Sequence, residues 1–101
     1  MTAAALSPRA QRDLRAATRW IAKDNPAAAR AFRDAMVKLA RHIGDHPQIG
    51  VRRPELTDEP YRFATLAGFP YLIVYNADRI PPLILGILHG ARDLPELLKG
   101  L

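Results

Sequence analysis

Residues 69–88 read FPYLIVYNADRIPPLILGIL and contain two nearly continuous apolar runs with a polar turn between them. The runs are Phe69–Tyr75 and Leu83–Leu88, and their branched and aromatic side chains are typical of β-strands. So short a connection joins antiparallel neighbours, because a parallel pair needs a crossover of a dozen or more residues. Both runs are almost wholly apolar, which indicates central strands covered by other elements. This stretch predicts the middle of a small antiparallel sheet.

A third run, Tyr61–Leu66, precedes these two and alternates between its two faces. Only two residues separate it from the next run, so it is the third antiparallel neighbour. Ala3–Leu6 is a candidate fourth strand. Residues 45–60 contain three prolines and one glycine, which predict a long surface loop.

The first half predicts two amphipathic helices joined by a tight turn. Ser7 followed by Pro8 is a favourable helix start, since serine caps free N–H groups and proline fits the first turn. Asn25 caps the second helix, which is predicted over Pro26–Ile43 and to end with Gly44 in the left-handed conformation. The short connection makes the helices an antiparallel hairpin. The fold class is therefore α+β: a helical hairpin packed on an antiparallel sheet of three to four strands.

The net charge of +5 is unevenly distributed along the 101 residues. Residues 1–53 carry a net +7 and residues 54–101 a net −2. In the first helix, one arc is apolar and the opposite arc is basic, with Trp20 between them at the predicted margin of the core. The basic arc consists of Arg12, Arg15, Arg19 and Lys23. Such a surface suits an anionic partner, either nucleic acid or an acidic protein, or serves only as a solvated face.

The C-terminal residues predict a short helix. Asp93 and Glu96 have the spacing of a capping box, in which the first residue caps the helix and the second reaches back. Four leucines follow the helical spacing, so this segment either binds a partner or, as is commoner, folds back on the sheet; they are Leu94, Leu97, Leu98 and Leu101.

Length and composition exclude several classes of function. The length predicts a single domain over residues 1–101. The absence of cysteine excludes disulfides and a cysteine nucleophile, and no apolar run approaches the roughly 20 residues of a membrane span. Three scattered histidines predict no metal site, and no phosphate-binding glycine loop or other cofactor motif is present. We expect a cytoplasmic protein without metal or cofactor.

One cluster has the side chains for catalysis. His89 leaves the last strand, Arg92 follows it, and Arg62 begins the first strand. A histidine can move protons near neutral pH and arginines can hold a phosphate, so these residues, with Glu55 or Glu59, could cleave a phosphodiester if they converge. The structural alternative is a histidine bonded to backbone, a turn, and a local ion pair with a helix cap.

The sequence resembles the ParE/RelE superfamily of bacterial type II toxins, on its ParE side. The resemblance lies in five stretches that keep their order across nearly the whole chain: LSPRAQRDL (6–14), NPAAA (25–29), RRPEL (52–56), YLIVY (71–75) and LHGARDL (88–94).

This resemblance implies a toxin that is neutralised by a small cognate antitoxin, with which it forms a hetero-oligomer. ParE-type members poison DNA gyrase and RelE-type members cleave mRNA on the ribosome. A RelE-type enzyme would draw on Arg62, His89 and Arg92, but no tyrosine follows Tyr75 and lysines are scarce, which favours the ParE type. A non-toxic antitoxin-binding module is a third alternative.

The resemblance, the basic hairpin and the Arg-containing sheet together predict a partner-binding set but no sequence-specific contact with nucleic acid. The set consists of Arg12, Arg19, Arg62, Tyr75, His89, Arg92 and Leu97.

Overall fold

The computed structural model describes residues 2–90 and 94–101 and confirms the predicted α+β class. Its elements, in chain order, are β1 (Ala5–Leu6), α1 (Pro8–Asp24), α2 (Pro26–Asp45), β2 (Val51–Arg52), β3 (Arg62–Thr65), β4 (Tyr71–Asn76), β5 (Leu83–His89) and α3 (Leu94–Leu98).

Both predicted caps of the helical hairpin are confirmed. The Ser7 side chain accepts the Ala10 N–H at 3.1 Å, and the Asn25 side chain accepts the Ala28 N–H at 3.0 Å. The prediction for Gly44 is wrong: α2 continues through it to Asp45, and its backbone is not left-handed. A side chain there would collide with the backbone of the N-terminal residues, so this glycine permits a close approach instead of ending the helix.

The sheet has the order β1-β5-β4-β3-β2, with the three long strands antiparallel as predicted. The candidate fourth strand is present as β1, which pairs in parallel with β5 at Leu83–Ile84 and makes the sheet mixed. The fifth strand, β2, is additional to the prediction and pairs with β3 inside the stretch predicted as loop. β2 is two residues long, so it carries almost no sequence pattern and depends on its contact with β3.

The two faces of the sheet are covered by different parts of the chain. The helical hairpin covers one face, where Phe32 and Ile73 are fully buried. α3 covers the other face, where Leu98 is buried beside Val74 and Leu88. The prediction that the C-terminal leucines fold back on the sheet is confirmed. Asp93, the predicted cap of α3, lies outside the described residues.

No helix within residues 2–90 and 94–101 is both long and apolar enough to cross a membrane. Across these same residues, histidines and carboxylates form no cluster of three or more that could hold a metal ion.

Candidate functional site: the open edge of β5

The outer edge of β5 is only half covered. β1 borders this strand at Leu83 and Ile84 and then ends, so Gly86–His89 has β4 on one side and no strand on the other among those the structure describes. Such an edge presents backbone groups that another extended segment can pair with. It is the natural place for a partner strand to add to the sheet.

A groove of about 600 Å³ runs along this edge, between α1 on one side and α3 on the other. Its lining is mainly apolar, with a few polar groups at the rim. We call it the β5-edge groove and define it by Arg9, Asp13, Ala16, Ala17, Trp20, Tyr71, Ile87, Leu88, His89 and Leu97.

Two side chains from the start of the helical hairpin already engage the open edge. The Ser7 hydroxyl donates to the Leu85 carbonyl at 3.3 Å, and the Asp13 carboxylate accepts the Ile87 N–H at 3.0 Å. Asp13 also lies 3.6 Å from the Arg9 guanidinium, one helical turn before it. A charged residue that caps an edge in this way limits unspecific strand pairing.

Aromatic rings form the end of the groove at His89. The His89 ring meets Tyr71 edge to face, with 5.4 Å between centroids, and Tyr71 in turn packs on Phe32 at 5.2 Å. The histidine is therefore positioned by the core. On the rim of the groove, Trp20 is 67% exposed, with the Lys23 ammonium 5.3 Å from its ring centroid. An exposed tryptophan beside an apolar groove is typical of a protein-binding surface.

Arg62 and His89, which the catalytic alternative required to converge, lie far apart. Arg62 pairs with Tyr75 at one end of β4, whereas His89 pairs with Tyr71 at the other end. Four residues of extended strand, about 13 Å, separate the two positions. In a three-strand meander the first and third strands run in the same direction, so the start of one is distant from the end of the other. Arg92 lies outside the described residues, and Glu55 is paired with Arg53 at 2.6 Å.

Tyr75 and Arg62 instead form a structural cluster, which we call the Tyr75 lock. The Tyr75 hydroxyl donates to the Pro47 carbonyl at 2.7 Å and accepts the Gly50 N–H at 2.8 Å. Arg62 donates to the Gly50 carbonyl at 2.7 Å. Burial raises the pKa of Tyr75, although the Gly50 N–H and the charge of Arg62 act in the opposite direction. Tyr75 is fully buried, so the prediction that it contacts a partner is wrong.

The other predicted partner residues divide between two surfaces. His89 on β5 and Leu97 on α3 both line the β5-edge groove. Arg12 and Arg19 are exposed on α1, and Arg19 lines a second groove between α1 and α2.

Several groove residues escaped the sequence reasoning. Ala16 and Ala17 resemble ordinary helix-forming residues, and Arg9 and Asp13 resemble surface charges. The one available signal was the helical spacing of Arg9, Asp13, Ala16 and Trp20, which places them along one side of α1.

Comparison with known proteins agrees with this architecture. Residues 4–94 match the family described as ParE toxin of type II toxin-antitoxin system, parDE. No curated protein sequence matches the chain significantly. A solved structure, the chromosomal ParDE TA system from P. aeruginosa, superposes with a TM-score of 0.71 at 21% identity, over 88% of this chain and 96% of that one. At that identity the superposition supports the fold alone, whereas the family match spans most of the sequence. The chain belongs to the ParE toxin family of type II toxin–antitoxin systems.

Proposed function

We propose that this protein is a cytoplasmic toxin that inhibits DNA gyrase without being an enzyme and is neutralised by a cognate antitoxin bound in the β5-edge groove. Membership of the ParE family supports the toxin role and an antitoxin partner. The observation that carries the binding mode is the open edge of β5 at the base of an apolar groove.

The groove suits an extended, amphipathic and acidic segment. An incoming strand would pair its backbone with β5 and place alternate side chains against Ala17 and Leu97, which lie on opposite sides of the strand. Acidic residues flanking that strand would be attracted by Arg9 and by the basic face of α1. An antitoxin of this chemistry would combine apolar burial with a complementary charge.

Gyrase is preferred over mRNA as the target because the catalytic arrangement that favoured a ribonuclease is absent from the described residues. That arrangement required Arg62 beside His89. Arg62 of β3 pairs with one end of β4, and His89 of β5 pairs with the other end. Arg62 is also committed to the backbone of the loop before β2. Among residues 2–90 and 94–101, the lining of the groove includes one carboxylate, Asp13, which is bonded to the Ile87 N–H.

The experiment is a supercoiling assay with purified gyrase, relaxed plasmid and ATP, with increasing toxin. We expect loss of supercoiling or accumulation of cleaved plasmid, reversed when the antitoxin is added in equimolar amount. A parallel reaction with translating ribosomes and a reporter mRNA should show no new cleavage products. Unchanged gyrase activity with cleaved mRNA would overturn the gyrase target in favour of the ribonuclease.

A growth assay separates the third alternative, a non-toxic antitoxin-binding module, from the two toxic functions. Induction of the chain without antitoxin should arrest the culture, and co-expression of the antitoxin should restore growth. Normal growth of cells that contain soluble chain would leave antitoxin binding as the only function supported.

A further inference from the structure

A second groove lies on the outer surface of the helical hairpin, apart from the β5-edge groove. It runs between α1 and α2, encloses about 340 Å³, and is lined by Leu14, Arg15, Thr18, Arg19 and Arg33. Three of these five side chains are arginines, and none is an acid. Two come from successive turns of α1 and the third crosses from α2, so the guanidiniums surround the groove from both helices.

These arginines have no ion-pair partner within residues 2–90 and 94–101. The ion pairs there join Arg9 with Asp13, Arg53 with Glu55, and Lys99 with Glu96. The hydroxyl of Thr18 donates to the Leu14 carbonyl at 2.7 Å, so it is turned back onto its own helix. The guanidiniums are therefore the donors that the groove offers to a ligand.

Arg12 extends this cluster along the same face of α1. At 100° per residue, Arg12, Arg15 and Arg19 lie within roughly 60° of arc and rise over about 10 Å along the helix axis. Duplex DNA carries one phosphate charge per about 1.7 Å of helix axis, so a row of cations about 10 Å long faces a dense array of negative charge. The fourth cation, Arg33, lies across the groove and can hold a neighbouring phosphate. Planar guanidiniums bind phosphate oxygens through paired hydrogen bonds.

We propose that the groove between α1 and α2 binds the phosphate backbone of duplex DNA, without reading its sequence. A duplex is favoured over single strands because single-strand sites stack bases on aromatic rings, and no aromatic side chain lines this groove. The one tryptophan, Trp20, lines the β5-edge groove on the other side of α1. The surface between the guanidiniums is mainly apolar, so an acidic peptide is the competing occupant, and competition with poly-glutamate separates it from DNA.

The test is fluorescence anisotropy of the full chain with a fluorescein-labelled 20-base-pair duplex between 25 and 200 mM KCl. The variant Arg15→Gln/Arg19→Gln/Arg33→Gln removes the groove cations with little change in helix propensity. The control Lys38→Gln/Arg41→Gln/Arg79→Gln removes the same charge from exposed positions outside the groove. Circular dichroism and thermal melting verify that both variants are folded.

We expect the groove variant to bind at least about tenfold more weakly at 100 mM KCl, and the slope of log K against log salt to fall by about 2–3, since each phosphate contact contributes about 0.9. The control should stay within about threefold of the unmodified chain. An equal loss of affinity for the duplex in both variants would overturn the proposal, as would a lack of DNA binding by the unmodified chain. Displacement of the duplex by poly-glutamate at equal charge concentration would also overturn it, in favour of an acidic protein. None of these outcomes depends on whether gyrase is the target.

Discussion

The Tyr75 lock and the β5-edge groove lie towards opposite ends of β4 and β5 and are completed in different ways. At the lock, the Tyr75 hydroxyl and the Arg62 guanidinium satisfy the backbone groups of the loop before β2. At the groove, β5 continues beyond β1 without a second neighbouring strand among those that the structure describes, and Asp13 accepts one of its N–H groups. The comparison teaches that Tyr75 and Arg62, the polar residues that stand out in the sequence of the sheet, stabilise the fold, whereas small residues of α1 line the groove that we propose for a partner.

The largest expected effect on stability is at the lock. Tyr75→Phe keeps the buried ring but removes the hydroxyl, which leaves the Gly50 N–H and the Pro47 carbonyl without this partner. We expect the free energy of unfolding to fall by about 1–3 kcal/mol in urea denaturation, the cost of unsatisfied buried polar groups. Tyr61→Phe is the matched control and should change it by less than about 0.5 kcal/mol. Equal effects of the two variants would show that the hydroxyl of Tyr75 has no special role.

A smaller effect is expected at the groove. Asp13→Ala removes the acceptor of the Ile87 N–H, but water can reach this half-buried edge and replace it. We expect a loss of about 1 kcal/mol in the free energy of unfolding. Asp34→Ala on exposed α2 is the control, because it brings the same gain in helix propensity without losing a bond to a strand. A cost at Asp13 that exceeds the cost at Tyr75 would reverse the comparison.

The free energy of unfolding should depend on alkaline pH through Tyr75 at the lock. Since burial raises the pKa of this side chain, the unfolded chain loses the tyrosine proton near pH 10 while the folded chain still keeps it. The unfolded state is then favoured, so the free energy of unfolding should fall as pH rises above about 10, by at most about 1.4 kcal/mol per pH unit. Urea titrations from pH 9 to 11 should show a smaller fall for Tyr75→Phe. Parallel curves for both proteins would contradict this origin.

The smallest expected effect is the coupling between the two regions. Tyr75→Phe combined with Asp13→Ala should cost the sum of the two single changes within about 0.5 kcal/mol, because the sites share no contact. A larger coupling energy in the double-mutant cycle would show that the lock and the groove form one unit.

Local features of this fold could be predicted from the sequence. The caps at Ser7 and Asn25 and the order of the three long strands follow from short patterns. The bulge at Leu85 could not be predicted. It places both Ile84 and Ile87 on the helix-covered face, whereas strict alternation in an all-apolar run would separate them.

The candidate site could also be predicted only in part, because it depends on contacts between distant segments that local patterns do not carry. His89 and Leu97, two of the predicted partner-binding residues, line the groove, and their contact with a partner stays a prediction. Arg62 lies at the end of the sheet away from His89, because the first and third strands of the meander run in the same direction. Ala16 and Ala17 have no chemical signal of their own, since their role depends on what lies opposite them after folding.

The central claim, that the open edge of β5 is the antitoxin site, is tested most directly by the affinity of the toxin for its antitoxin. Ala16→Arg places a long side chain at an exposed position that lines the groove, and Ala31→Arg makes the same change at an exposed position of α2 outside it. In isothermal titration calorimetry, we predict at least about tenfold weaker binding for Ala16→Arg and a change within about threefold for Ala31→Arg. Unmodified affinity of a folded Ala16→Arg variant would contradict the account.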